Sequence, residues 1–234
     1  MEYGRGGQGL TSFYDIPGID FSSGVLNPSF HHSNIPVGRR ITLHPGVHQT
    51  LWRPSSVIMK IFTIGHSTRS IEEFLILLRE PGIETVADIR SFPGSRKFPH
   101  FGQDRLKERL TEENIQYAWY KDLGGFRKKT PGRESPNTGL SSPGFRNYAD
   151  YMATDTFRAA VSELMHLASR SRTTVMCAER LFWKCHRRIL SDYLVTLDVE
   201  VVHILEQGKI QVHTLTPGAV RTSDGVIYPD DEHL

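Results

Sequence analysis

Hydrophobic and polar positions between residues 59 and 217 alternate between two spacings, which predict strands followed by helices. Short apolar runs bounded by turn residues predict buried strands at Lys60–Ile64, Glu84–Ile89, Ile115–Tyr120, Arg172–Met176 and Glu200–Leu205, with an edge strand at Lys209–His213. Apolar residues three or four positions apart predict helices at Ile71–Leu78, 103–113, Phe145–Met152, Asp155–Ser169 and Arg188–Val195. This alternation predicts an α/β fold: a single three-layer domain with a mostly parallel sheet.

The two ends of the chain lack this periodicity. Residues 1–58 carry 8 of the 20 glycines and 5 of the 13 prolines, which is typical of a disordered or loosely packed extension. One interpretation puts the true start of the protein at Met59; the alternative is a regulatory arm. The α/β domain is predicted to span residues 59–217, and residues 218–234 are predicted to form a loose tail.

One stretch between a predicted strand and a predicted helix gathers most of the reactive side chains. Residues 176–187 read Met-Cys-Ala-Glu-Arg-Leu-Phe-Trp-Lys-Cys-His-Arg and contain both cysteines of the chain, Cys177 and Cys185. Glu179, His186 and Arg187 add a carboxylate, an imidazole and a guanidinium. Ligands of open α/β sheets bind where strands end and helices begin, and a helix N-terminus favours a thiolate.

Other polar residues follow the ends of the first two strands. Because the carboxyl ends of parallel strands meet at one edge, His66, Asp88 and Arg90 are expected at the same edge as Cys177. His66 and Asp88 join Cys177, Glu179, Cys185 and His186 as candidate catalytic residues. The candidate ligand-binding residues are Ser67, Thr68, Arg90, Ser91, Ser95, Arg96, Gly124, Gly125, Tyr148 and Arg187.

Each of these features has a structural alternative. Cys177 and Cys185 could supply a nucleophilic thiolate, or could bind a metal together with His186, but the Cys-x7-Cys-His spacing is not that of a standard zinc finger. Cys177 could also be a small core residue. Asp88 and Arg90 could form a salt bridge with no other role, or could orient His66.

Two loops are rich in cations. The loop 91–102 places Arg96 and Lys97 beside Phe98 and Phe101, a combination compatible with phosphate binding and base stacking, although such phenylalanines are more often core residues. The long loop 121–143 carries Lys121, Arg127, Lys128, Lys129 and Arg133, which could form a lid over an anionic ligand or a solvated surface.

Composition narrows the class of protein only slightly. The 28 basic and 26 acidic side chains give a net charge of +2, which neither requires nor excludes a nucleic-acid partner. No run of 18 apolar residues is present, and the N-terminus lacks the pattern of a signal peptide, so no membrane association is expected. Two cysteines without a wider framework indicate a reduced, cytoplasmic location rather than a disulfide scaffold.

Several blocks of this sequence, in order, resemble a bacterial family called domain of unknown function 488. The blocks are Thr63-Ile-Gly-His-Ser-Thr68, Asp88-Ile-Arg-Ser-Phe-Pro93 with Ser95-Arg96, Leu123-Gly-Gly125, Phe145–Met152, Met176–Glu179 with Cys185–Arg187, and Val202–Ile204. The resemblance runs from about Met59 to Pro217. It implies a compact α/β domain with a polar cluster at these positions, and it supplies no reaction.

Three hypotheses follow from the residues. The first is a cytosolic enzyme, of the hydrolase or transferase type, acting on a phosphate-bearing ligand such as a nucleotide, a modified nucleoside or a nucleic-acid base. The second is a metal-dependent hydrolase that uses Cys177, Cys185 and His186 as ligands. The third is a nucleic-acid-binding or partner-binding module without turnover. No cofactor is required by the sequence, a divalent metal is left open, and the oligomeric state is unknown.

Overall fold

The computed structural model describes residues 58–94, 96–129, 131–132 and 134–230. The predicted N-terminal extension, except for Ile58, lies outside the described residues. Ser95 and Arg133 also lie outside them. All statements about the structure below refer to the described ranges.

The alternation of strands and helices builds one central sheet. Its strands are β1 (Lys60–Gly65), β2 (Thr85–Asp88), β3 (Gln116–Trp119), β4 (Thr173–Cys177), β5 (Glu200–Glu206) and β6 (Lys209–Val212). They lie in the order β3-β2-β4-β1-β5-β6, and every pairing is parallel except the antiparallel pairing of β5 with β6. The predicted α/β class and mostly parallel sheet are confirmed.

The described helices have clear sequence causes. They are α1 (Ile71–Arg79), α2 (Gln103–Glu112), α3 (Pro143–Met152), α4 (Asp155–Ala168) and α5 (Arg187–Thr196). Ser70 and Glu73 form a capping box at the start of α1. Pro143 occupies the first turn of α3, where a missing N–H costs nothing.

The helices cover both faces of the sheet and make it the middle of three layers. One face buries Phe74 and Leu78 of α1 with Leu106 and Leu110 of α2. The other face buries side chains of α3, α4 and α5, among them Tyr148, Phe157, Leu164, Ile189 and Leu194. Because β1, β2 and β4 have helices on both faces, every residue of these three strands except Lys60 is buried.

The C-terminal segment differs from its prediction. Residues Val220–Thr222 (β7) and Gly225–Ile227 (β8) form an antiparallel hairpin, which was expected to be part of a loose tail. Val226 and Tyr228 are 6% and 2% exposed and belong to the core beneath α5. The prediction of a loose tail is therefore wrong for residues 220–228, because apolar side chains in this turn-rich stretch pack onto the domain.

Candidate functional site

An open cleft of about 420 Å³ lies at the carboxyl end of β4, on the face that α3 and α5 cover. Five of the predicted site residues line it: Gly125, Cys177, Glu179, Cys185 and His186. The lining is completed by Ala178, Lys184 and three residues at the start of α3, namely Ser142, Gly144 and Phe145. The strand–loop–helix junction therefore does form a cavity, as the edge rule for open sheets predicts.

The short segment between β4 and α5 brings the two cysteines together. After Cys177 ends β4, the turn Phe182–Lys184 buries Phe182 and redirects the chain into α5. Cys185 then lies just before the helix, and its Sγ accepts the backbone N–H of Arg187 at 3.5 Å. A thiol in this position receives a hydrogen bond from the first turn of α5, whose dipole favours negative charge.

Three reactive atoms form a compact group in the cleft. His186 Nδ1 lies 3.5 Å from Cys185 Sγ and 3.8 Å from Cys177 Sγ. The two sulfurs and this nitrogen all lie within 4.8 Å of one another. All three residues are buried, so the group is largely shielded from water although it lines the cleft.

The two thiols have opposite acidities. A hydrogen bond with Cys177, together with the neighbouring His186 and Arg187, holds the pKa of Cys185 well below its usual range, against the opposing effect of burial. The hydrogen bond with Cys185, followed by burial, raises the pKa of Cys177 well above its usual range. Of the two thiols, Cys185 is therefore the one that gives up its proton more readily.

A buried cation lies next to this pair. Arg187 is only 1% exposed, and its guanidinium donates to the backbone oxygens of Glu179 and Arg180 and to Thr63 Oγ1. No salt bridge to a carboxylate is found for Arg187 among the described residues. A buried charge without a counter-charge costs several kcal/mol, and a thiolate on Cys185, whose pKa Arg187 lowers, would offset it.

Residues that sequence reasoning did not select extend from Arg187 into the core. Thr63 Oγ1 lies 2.6 Å from His203 Nδ1, and His203 Nε2 lies 2.9 Å from His213 Nδ1. Phe182 stacks on the His203 ring at a centroid distance of 3.5 Å. Burial, followed by the neighbouring His213 and Arg187, lowers the pKa of His203 to about 3, so it is neutral at physiological pH.

The same network ends on a buried carboxylate in α5. His213 Nε2 lies 2.9 Å from Asp192 Oδ1, which also accepts the backbone N–H of Thr216 at 2.8 Å. Tyr228 donates its hydroxyl to Asp192 Oδ2 at 2.7 Å. The signal in the sequence was a histidine inside the apolar strand β5 and another directly after β6, but only the pairing of β5 with β6 places the two rings together.

Glycines allow the tight packing around the reactive group. A Cβ on Gly125 would lie 2.6 Å from His186 Cγ, and one on Gly65 would lie 2.7 Å from Arg187 Nη2. A Cβ on Gly124 would lie 2.6 Å from Ser91 Oγ. The loop after β3 can therefore approach the His186 ring only with glycine at position 125, and Ser91 only with glycine at position 124.

The predicted residues on β1 and β2 form a separate cluster on the opposite face of the sheet. Asp88 accepts from Arg90 through both oxygens and from the hydroxyl of Tyr117. Arg90 Nη1 lies 3.4 Å from His66 Nε2, and His66 stacks on Phe101. Burial, followed by the charge of Arg90, lowers the pKa of His66 to about 4.

Arg90 lies between His66 and Asp88, so its salt bridge with Asp88 holds the guanidinium against the His66 ring. The backbones nevertheless connect the two clusters, since His66 N–H donates to Cys177 O at 3.0 Å and Ser67 N–H to Ala178 O at 2.9 Å. The two predicted groups thus share an edge but open onto different faces.

The remaining predicted residues are dispersed. Tyr148 is fully buried, donates to Leu123 O at 3.0 Å, and packs its ring 5.1 Å from that of His186. Thr68 lines a separate groove beside Arg180, and Arg96 is exposed. Ser91 accepts the N–H of Phe126 at 2.9 Å, so it holds a loop near the cleft. Ser95 lies outside the described residues.

Comparison with known proteins identifies one family. A family model described as "Domain of unknown function DUF488" matches residues 70–194, a little over half of the chain. No curated protein and no solved structure matches the chain. Within the part of the chain that the structure describes, every helix is too short or too polar to cross a membrane.

Proposed function

The chain belongs to the DUF488 family, and from its site we propose that it is a thiol-dependent enzyme acting on a phosphate-bearing ligand. The ligand class is a nucleotide, a modified nucleoside or a nucleic-acid base. Cys185 is the nucleophile, and the cleft at the end of β4 is the active site. A reactive thiol requires a reducing compartment, for which we propose the cytosol.

The observation that carries this proposal is the buried Arg187 beside two thiols, of which Cys185 has the lowered pKa. With Cys185 ionised and Cys177 protonated, one negative charge balances the one positive charge of Arg187. If both thiols were protonated, Arg187 would be a buried cation without a counter-charge. Charge balance therefore favours the thiolate, which is the reactive form of cysteine.

The roles of the neighbouring side chains follow from their positions. The Cys185 thiolate attacks an electrophilic atom of the ligand, and the bond to the leaving group breaks with its electron pair. Glu179, an exposed carboxyl on the cleft, or His186 supplies the proton that the leaving group takes up. Water, activated by the same group, then releases the bound fragment and restores the thiolate.

The binding of an anion is supported by the walls of the cleft. Lys184 lines it, and so does the first turn of α3, where the side chain of Ser142 does not cap the helix. The uncapped N–H groups of this ten-residue helix and the lysine charge both favour a phosphate. His66, Asp88 and Arg90 contribute to the edge as a second polar cluster, which in this proposal supports the β1–α1 and β2 loops.

Alkylation with iodoacetamide, with each cysteine mapped by mass spectrometry, tests the proposal. At pH 6.5 we expect Cys185 to react faster than Cys177, because the pKa of Cys185 is held well below its usual range and the pKa of Cys177 well above it. Inorganic phosphate, AMP, adenosine and ribose 5-phosphate are then added singly. A ligand that occupies the cleft should slow the alkylation of Cys185.

Two controls make the result decisive. Cys185→Ser should lose the fast reaction, whereas Cys177→Ser should retain a reactive thiol. Denatured protein gives the intrinsic rate of both thiols. If Cys185 reacts at pH 6.5 no faster than in denatured protein, and none of the four compounds protects it, the assignment of the active site is wrong.

A second candidate function is favoured by one geometric observation. The distances of 3.5 and 3.8 Å from His186 Nδ1 to the two sulfurs are near the separation of about 3.6 Å between S and N ligands of a tetrahedral zinc ion. Cys177, Cys185 and His186 would then hold Zn²⁺ at the cleft, where the ion would supply the activation of water for hydrolysis. Two thiolates would neutralise the ion, so Arg187 would keep an uncompensated charge, and we rank this function second.

Metal analysis separates the two candidates. Protein purified without chelator should contain no stoichiometric zinc if the thiolate mechanism is right. One zinc per chain, lost on Cys177→Ser and accompanied by a lower unfolding temperature, would establish the metal-dependent alternative.

A further inference from the structure

We propose that the two exposed phenylalanines at the rim of the cleft, Phe92 and Phe126, bind the bases of single-stranded nucleic acid. We call them the rim pair. The inference deepens the proposed function and rests on it for the position of the cleft, because it names a single strand as the source of the base or nucleotide. It concerns binding and requires no further chemical step.

The rim pair is unusual for its exposure. Phe92 and Phe126 are 73% and 65% exposed, the two most exposed large apolar side chains in the described part of the chain. Their ring centroids are 6.0 Å apart and the ring planes are tilted by 55°. Two neighbouring aromatic rings left in water are unfavourable in the free protein, which indicates a ligand that covers them.

The two alternatives for Phe98 and Phe101 were base stacking and a core position, and the structure favours the core position. Phe101 is fully buried against His66, and Phe98 is half-buried beside the same imidazole. The exposed rings belong instead to Phe92, which follows Ser91, and Phe126, which follows Gly125.

Contacts made by neighbouring side chains hold the rim pair in place. Ser91 Oγ accepts the N–H of Phe126 at 2.9 Å, which joins the two loops. Arg127 lies 3.8 Å over the ring of Tyr151 and donates to the carbonyl oxygen of Asp122 at 2.8 Å. These contacts fix the residues that carry the rings, so a bound base costs less ordering than it would on a free loop.

Four cations near the rim pair in sequence supply the charge complement of a phosphate backbone. Arg96, Lys97, Lys128 and Lys129 are all exposed. None of them forms a salt bridge within the described ranges, although Lys97 Nζ lies 5.5 Å over the ring of Phe98. Aromatic faces beside unpaired cations match the way proteins bind single strands, with bases stacked and phosphates neutralised.

The rim pair also has a connection to the cleft. Gly125 precedes Phe126, lines the cleft, and touches the His186 ring closely enough to exclude a Cβ. A base stacked on Phe126 would therefore lie beside Gly125, the residue that forms the cleft wall next to His186. This continuity favours a strand that presents one nucleotide to the cleft over an unrelated partner.

Fluorescence anisotropy with a labelled 12-nucleotide single strand, as DNA and as RNA, tests the inference. Wild-type protein should bind at least one of the two single strands, and should bind the matching duplex more weakly because its bases are not available for stacking. Phe92→Ala and Phe126→Ala should each weaken binding about tenfold. Ile210→Ala, which truncates an apolar side chain that is 60% exposed on β6, is the matched control and should change nothing.

The cations give an independent readout. The double variant Lys128→Gln with Lys129→Gln should flatten the dependence of affinity on salt, since fewer counterions are released on binding. If neither single strand binds, or if binding is unchanged by both phenylalanine variants, the inference is wrong. Equal binding of a labelled polyglutamate peptide would also overturn it, because the surface would then be an acidic-protein site.

The same preparations are tested for alkylation of Cys185, which keeps this inference separate from the proposed function. If the protein binds the single strand normally but its Cys185 is unreactive, the proposed function is overturned and the inferred binding surface still stands. A reactive Cys185 without strand binding would overturn only the inference drawn here.

Discussion

Replacing Gly125 by alanine perturbs the reactive group through packing alone. The added Cβ would lie 2.6 Å from His186 Cγ, whereas ordinary contacts begin at 3.4 Å. The ring cannot retreat freely because it already packs against Tyr148, whose hydroxyl is fixed to the backbone of Leu123. Inserting a methyl group into such a site typically costs about 1–3 kcal/mol.

Movement of the ring should also change the thiol chemistry. His186 Nδ1 lies 3.5 Å from Cys185 Sγ, and His186 helps to hold the pKa of Cys185 low. We therefore expect Gly125→Ala to lower the free energy of unfolding by about 1–3 kcal/mol and to raise the pKa of Cys185. Urea unfolding measures the first effect, and the pH dependence of iodoacetamide alkylation measures the second.

Gly144→Ala is the matched control because Gly144 lines the same cleft. Its added Cβ meets only Ser142 Oγ, at 3.8 Å, and its backbone is already helical. This variant should be as stable as wild type or slightly more stable, since alanine favours helix by about 1 kcal/mol over glycine. If both variants unfold at the same urea concentration and Cys185 keeps its reactivity in both, the packing argument for Gly125 is refuted.

Three other predictions test other parts of the structure. Arg187→Met should raise the pKa of Cys185 and slow its alkylation at pH 6.5, about tenfold for each unit by which the pKa comes to exceed 6.5, and Arg187→Lys should recover part of the rate. An unchanged rate would show that Arg187 does not stabilise the thiolate. Tyr228→Phe should lower the urea-derived free energy of unfolding by about 1–3 kcal/mol, because Asp192 loses a buried hydroxyl donor, and a neutral result would mean that the C-terminal hairpin is not part of the cooperative unit. The pKa of His66 is about 4 in the folded protein and about 6.5 in the unfolded chain. Its contribution to stability is therefore fully present above pH 6.5 and is lost as the pH falls through about 4. Urea midpoints measured from pH 7.5 to 4.5 should therefore fall less steeply in His66→Gln than in wild type, and parallel curves would contradict the assigned pKa.

The sequence by itself determined the fold class and the place of the cleft. Continuous apolar runs and helical spacing depend on local rules, so they predicted the sheet, the helices on both faces, and the junction between β4 and α5. The gathering of Cys177, Glu179, Cys185 and His186 within ten residues also predicted one group, because so short a segment cannot separate them widely.

Only the tertiary structure decided which groups meet across long separations. Thr63, His203 and Asp192 lie far apart in the chain, and their network exists because β1 pairs with β5 while α5 packs above both. The same dependence on packing distinguished the exposed Phe92 and Phe126 from the buried Phe101, since these side chains are identical in the sequence. Burial and long-range pairing are sums over the whole fold, and no local pattern contains them.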